Sequence, residues 1–139
     1  MCWMIIYHEE KILVHEKRIN YNDYKRVNVL ENNKYIFQIE RLIIQDRSYY
    51  DISYGQCACE FFNLKNKILL EEFKRFIYNR MEINCLEPYI LVEWMNNDFD
   101  IKSIIKKLDN MEKINIQKEK LVEIFDRNKE GMYYCIKRE

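Results

Sequence analysis

Glycine is scarce in this chain, since only Gly55 and Gly131 occur among its 139 residues. Phosphate-binding loops, nucleophile elbows and dinucleotide-binding turns need glycine where the backbone approaches a ligand or adopts a positive φ. Two isolated glycines cannot build any of these loops. The sequence therefore excludes the enzyme classes that depend on them.

Proline, alanine and threonine are also rare. Pro88 is the only proline, Ala58 is the only alanine, and threonine is absent. Isoleucine, lysine, asparagine, glutamate and tyrosine are abundant instead. Because alanine and threonine codons require G or C, this bias predicts an AT-rich coding sequence, as in a low-GC bacterium, its phage or a mobile element.

An excess of charge of either sign is missing as well. The chain has 23 Lys and Arg and 23 Asp and Glu, so its formal net charge is 0. No preference for nucleic acid or for an anionic membrane surface follows from such a balance. No run approaches the roughly 18 apolar residues of a membrane span, and residues 1–7 lack the basic start of a signal peptide. We therefore expect a cytoplasmic protein.

The first half of the chain contains short β-type runs. Residues 2–7 and 11–15 predict a hairpin around a charged turn. Residues 34–45 fit a strand or a helix, and strand is favoured because the large apolar side chains alternate. Residues 48–54 predict a further, tyrosine-rich strand.

The second half contains two amphipathic patterns. Leu69 and Phe73 belong to the apolar face of a helix that Asn63 would cap and that would end near Met81. A second helix would begin after Asp100. Both patterns place lysine on the opposite, solvent-facing side.

A continuous apolar run at residues 89–95 is typical of a strand buried on both faces. Residues 121–125 and 132–137 predict a C-terminal hairpin, with a third helix over residues 117–125 as the alternative. The most economical architecture is a single α+β domain spanning residues 1–139. Its sheet would be mainly antiparallel, with two or three helices on one face.

The chain has five cysteines, and an odd number without a secretory signal indicates reduced thiols. Cys57 and Cys59, together with His8 and His15, would be a suitable ligand set for tetrahedral zinc. Their spacing is shorter than in the usual zinc motifs, and no second cysteine pair accompanies them. Packing is therefore the preferred interpretation, with zinc binding or thiol chemistry at Cys57 and Cys59 as the alternative.

Three other side chains invite a catalytic interpretation. Cys2 would be an N-terminal nucleophile after removal of Met1, but a core-facing position on the first strand is the preferred interpretation. His8 and His15 each precede a glutamate, as in an acid–base pair. Since no nucleophile is tied to them in the sequence, we expect both to be solvated surface groups.

The segment after the apolar run combines carboxylates with aromatic rings. Its residues are Glu93, Trp94, Asp98, Phe99 and Asp100. Such a segment can present aromatic side chains and negative charge to a basic partner, as small protein inhibitors do. The plainer interpretation is a strand-to-helix connection with a helix cap at Asp100.

Four stretches carry a resemblance: Met1-Cys2, Tyr49-Tyr50, Cys57-Ala-Cys59-Glu-Phe61 and Val92-Glu-Trp-Met-Asn-Asn-Asp98. In these the chain resembles a group of small uncharacterised bacterial proteins with an N-terminal Met-Cys strand and a Cys-x-Cys-x-Phe loop. That loop is usually glycine-rich in the group, whereas Ala58 and Glu60 stand here. The resemblance implies a single-domain α+β fold and no particular function.

Small size, balanced charge and the lack of a catalytic motif favour binding over catalysis. We expect an intracellular inhibitor or interaction module, of the toxin-immunity or phage anti-defence kind, that covers a functional surface of another protein. A metal- or thiol-dependent protein centred on Cys57 and Cys59 is the alternative. A subunit whose apolar strand edge pairs with a copy of itself is the third hypothesis.

Overall fold

The structure is a computed structural model, and it describes residues 2–12, 25–28, 35–44, 47–84, 87–95 and 101–138. The strands are β1 (Cys2–Ile12), β2 (Lys25–Asn28), β3 (Gln38–Ile44), β4 (Arg47–Ser53), β5 (Tyr89–Met95), β6 (Ile114–Gln117) and β7 (Met132–Lys137). The α-helices are α1 (Lys67–Asn84) and α2 (Ile101–Asn110), and two 3-10 segments span Cys59–Phe62 and Lys118–Ile124.

All the described strands belong to one sheet with the order β2-β3-β4-β1-β5-β7-β6. Every neighbouring pair is antiparallel except β6 and β7, which are parallel. The predicted α+β class and the mainly antiparallel sheet are therefore confirmed. The strands predicted over residues 34–45, 48–54, 89–95 and 132–137 are present as β3, β4, β5 and β7.

The predicted N-terminal hairpin is wrong over the described residues, because residues 2–12 form one continuous strand. His8, which was expected in the charged turn, pairs with Tyr49 of β4 on one side and with Tyr89 of β5 on the other. Its neighbour Glu9 is buried in an ion pair with Arg80. His8 and Glu9 therefore belong to β1 and not to a turn. Residues 13–15 lie outside the described part of the chain.

The two helices cover opposite faces of the sheet, which corrects the expectation that they share one face. Trp3, Ile5 and Tyr7 of β1 belong to the buried cluster that also contains the apolar residues of α1. Met4 and Ile6 of the same strand belong to a second cluster that also contains those of α2. Since neighbouring residues of a strand point to opposite faces, β1 contributes to both cores.

Helix α1 begins later and ends later than the sequence predicts. The backbone N–H of Leu69 donates to Asn66 Oδ1 at 3.2 Å, so Asn66 rather than Asn63 satisfies the first turn. The helix continues past Met81 to Asn84. Its apolar face packs on the sheet through Leu69, Leu70, Phe73, Phe76, Ile77 and Met81.

The C-terminal region differs from the predicted hairpin. Residues 121–124, expected to start a strand, belong to the 3-10 segment Lys118–Ile124, which is closer to the alternative of a third helix. The short strand β6 precedes it and pairs with β7 in parallel, which the sequence did not indicate. Among the described helices, none has both the length and the apolar character that crossing a membrane requires.

Candidate metal site

A tight turn after β4 presents the two closely spaced cysteines. The backbone N–H of Tyr54 donates to the carbonyl oxygen of Cys57 at 2.8 Å, which closes a turn with Gly55 at φ 79°. A positive φ at this position is readily adopted by glycine. The N–H of Gly55 also donates to Gln38 Oε1 at 2.9 Å, so the turn is attached to β3.

The segment after the turn lies along the start of β1. The backbone N–H of Ala58 donates to the carbonyl oxygen of Trp3 at 3.1 Å. In return, the backbone N–H of Trp3 donates to Cys59 Sγ at 3.3 Å. The Ala58 methyl group is buried. These contacts fix Cys57 and Cys59 beside the first residues of the chain.

Three thiols meet where this segment and β1 come together. The Sγ atoms of Cys2, Cys57 and Cys59 all lie within 4.8 Å of one another, and each residue is half-buried. Three sulfurs on a tetrahedral zinc ion lie about 3.8 Å apart, as follows from a Zn–S bond of about 2.3 Å. A contraction of about 1 Å or less would therefore bring the three thiols into bonding distance of one ion.

The thiols differ in acidity. Burial raises the pKa of Cys57, but hydrogen bonds from the Cys59 backbone and from the Cys59 and Cys2 thiols stabilise its thiolate and lower the pKa overall. Burial raises the pKa of Cys59 to about 11, and the neighbouring Cys57 thiolate adds to this rise against the opposing effect of the Trp3 N–H. Of Cys57 and Cys59, Cys57 therefore ionises first.

Aromatic rings pack around Trp3, the residue that follows Cys2. The Trp3 ring stacks on Phe62 with centroids 4.2 Å apart and contacts Trp94 edge-on at 5.1 Å. Phe62 belongs to the 3-10 turn that begins at Cys59. The cysteine segment is thus held by packing as well as by hydrogen bonds, which keeps the thiols close to one another.

The structure brings Cys57 and Cys59 together and adds Cys2 to them. Cys2 was predicted to face the core, but it is only half-buried and lies in the cluster. No spacing rule links residue 2 with residues 57 and 59, so only the pairing of β1 with the later segment reveals the third thiol. His8, the histidine that the structure describes, is not part of the cluster. His8 is buried between the rings of Tyr49 and Tyr89, at centroid distances of 4.6 and 6.1 Å, so its expected surface position is wrong. His15 lies outside the described residues.

The residues predicted to bind a partner protein are divided between described and undescribed parts of the chain. Glu93 Oε2 lies 3.7 Å from Lys107 Nζ and accepts no hydrogen bond from the described residues. Trp94 is half-buried against Trp3. Asp98, Phe99 and Asp100 lie outside the described residues. The partner-binding role of this segment stays a prediction.

Comparison with known proteins gives no match, either to a protein-family model, to a curated protein or to a solved structure.

Proposed function

We propose that the protein binds a zinc ion through the thiolates of Cys2, Cys57 and Cys59. The observation that carries this proposal is the convergence of three Sγ atoms within 4.8 Å from two segments that are far apart in sequence. Cysteine thiolates are preferred ligands of zinc and of other thiophilic metals. The ion would fasten the start of β1 to the segment after β4.

The surroundings of the thiols favour metal binding over simple packing. Core cysteines such as Cys135 are buried, whereas all three cluster members are partly exposed, so an ion can reach them. The N–H of Trp3 donates to Cys59 Sγ, and such a donor stabilises the negative charge of a thiolate ligand. The lowered pKa of Cys57 favours a thiolate as the first ligand.

Three protein ligands leave one position of a tetrahedral zinc ion open, as in zinc sites that bind water or a substrate. Among the described histidines, aspartates and glutamates, none joins the three cysteines. The fourth ligand would then come from solution. We place this site in the cytoplasm, where thiols remain reduced and available.

The test is native mass spectrometry of the reduced protein with equimolar zinc, together with Cd²⁺ titration followed by thiolate charge-transfer absorption. We expect one bound ion in the unaltered protein and none in a Cys57→Ser, Cys59→Ser variant. Cys135→Ser is the matched control, because Cys135 is a buried cysteine outside the cluster, and it should still bind one ion. A chain that remains free of metal under these conditions would contradict the proposal.

Zinc should also stabilise the fold, because the three-thiol site exists only when β1 and the later segment are docked. At a free zinc concentration of about 100 times the dissociation constant, the expected gain is about 2.7 kcal/mol. Thermal unfolding with and without zinc measures it, and the Cys57→Ser, Cys59→Ser variant should show no gain. The interaction-module hypothesis for residues 93–100 concerns a different part of the chain and is a separate proposal.

A further inference from the structure

Strand β6 is one of the two outer strands of the sheet. Charged residues and proline commonly protect such outer strands from pairing edge to edge with another chain. Strand β6 has the sequence Ile-Asn-Ile-Gln, without a charge or a proline. In the described part of the chain, β7 is the only strand that pairs with β6, and no other described strand covers its outer edge. The β6 sequence therefore lacks the charged residues and proline that usually protect an edge strand.

Apolar surface is exposed along the same edge. Ile114 is 41% exposed and Leu64 is 50% exposed, although both are large aliphatic residues. They line a groove of about 610 Å³ beside β6, which also has Phe62 and Phe125 in its wall. The groove is also lined by charged side chains: Glu123, Asp126, Arg127 and Lys129. A strand edge next to aliphatic and aromatic walls fits a further β-strand that brings apolar side chains.

We propose that this strand is β6 of a second copy of the chain, paired antiparallel about a two-fold axis at Asn115. In that register Asn115 faces its own counterpart, and Ile114 faces Ile116 of the second copy on both sides of the axis. Residues opposite each other in an antiparallel pair share a face of the sheet. The four isoleucine side chains would therefore meet over the groove.

The charges that flank β6 fit this register. Continuing the same alignment beyond the strand places Lys118 opposite Glu112 of the second copy, and the two-fold axis repeats this pair of opposite charges. Lys118 directly follows β6, and Glu112 lies two residues before its start. Charge complementarity thus favours β6 as the surface that pairs with itself.

Sedimentation velocity of the reduced protein, over concentrations up to about 1 mM, tests the proposal. We expect a reversible equilibrium between the 17.4 kDa chain and its dimer. The variant Asn115→Asp places two carboxylates opposite each other and should raise the dissociation constant at least about fivefold. Gln117→Glu is the matched control, because it adds the same charge opposite Lys113 of the second copy and should leave the dimer intact.

Two results would overturn the inference. One is a chain that stays monomeric over the whole concentration range. The other is a dimer that Asn115→Asp and Gln117→Glu affect equally, which would place the contact on another surface. Circular dichroism of both variants checks that they remain folded. Neither result bears on zinc binding, since β6 contributes no cysteine to the three-thiol cluster.

Discussion

At the scale of single residues, the three-thiol cluster is asymmetric. Cys57 accepts hydrogen bonds from its two neighbours, whereas Cys59 is held in its protonated form by burial and by the charge of Cys57. The thiolate is the reactive form of cysteine. Of Cys57 and Cys59, Cys57 is therefore the thiol that reacts at lower pH.

Alkylation of the metal-free protein should follow this order. The pKa of Cys57 is lowered, so its reaction with iodoacetamide should begin at lower pH than that of an ordinary cysteine. Cys59, with a pKa of about 11, should react only as the pH approaches that value. Peptide mass spectrometry after short labelling at a series of pH values measures both rates. Equal pH profiles for the two cysteines would contradict the assigned hydrogen bonds.

A network of buried polar side chains connects β1 to α1. Glu9 accepts a bidentate pair of hydrogen bonds from Arg80 at 2.8 and 2.9 Å, and it accepts the Tyr7 hydroxyl at 2.6 Å. Burial and the Glu9 carboxylate raise the pKa of Tyr7, so its hydroxyl stays a donor. This network joins α1 to the centre of the sheet.

Removing the guanidinium should be costly, because the buried Glu9 carboxylate loses its bidentate ion pair with Arg80. We expect Arg80→Met to lower the free energy of unfolding by about 3 kcal/mol. Adding Glu9→Gln to that variant should restore part of the loss, since the buried charge is then removed as well. Urea denaturation of the single and double variants measures both effects.

Lys74→Met provides the comparison on the same helix. Lys74 pairs with Glu71 at the surface at 3.5 Å, and such exposed pairs contribute little. This variant should change the free energy of unfolding by no more than about 0.5 kcal/mol. If Arg80→Met and Lys74→Met had the same small effect, the buried network would not stabilise the fold.

At the scale of elements, the start of α1 depends on a small network of side chains. Asn66 Oδ1 accepts the N–H of Leu69, and Glu60 Oε1 accepts the side-chain amides of Asn63 and Asn66 at 3.0 Å each. These hydrogen bonds lower the pKa of Glu60, with the Asn66 contribution the largest. The 3-10 turn that carries Cys59 is thereby connected to the helix.

Asn66→Ala should lower the free energy of unfolding by about 1 kcal/mol, because the first turn of α1 loses its cap. Asn66→Ser should recover most of this loss, since serine is also a good capping residue. Chemical denaturation of the two variants distinguishes the cap from the amide contact with Glu60. Equal destabilisation by alanine and serine would assign the effect to the amide instead.

Elements with a strong local pattern were predictable from the sequence. The alternation in β3, the apolar run of β5 and the helical spacing of Leu69 and Phe73 all reappear in the structure. The start of α1 was misplaced because Asn63 and Asn66 are equally suitable caps in sequence. Strand β6 has only four residues, so the apolar–polar alternation of Ile-Asn-Ile-Gln is too short to predict a strand.

At the scale of the whole molecule, the features that the sequence could not predict depend on contacts between distant segments. Glu9 was interpreted as part of a turn because its partner, Arg80, lies in a helix much further along the chain. Cys2 was separated from Cys57 and Cys59 for the same reason. The placement of α2 on the second face depends on the alternation of apolar residues along β1, which has large side chains on both sides. Local patterns do not distinguish these arrangements.

The central position of β1 also sets the order of events during synthesis. Ile5 pairs with Ile52 of β4 and with Val92 of β5, so both partners leave the ribosome long after β1 itself. Contacts with such long sequence separations form slowly. Until then the apolar residues of β1 remain unpaired, and chaperones can recognise exposed apolar segments of this kind. Strand β1 has both of its neighbours only when β5 has been made, and the sheet is complete only after β6 and β7 have followed.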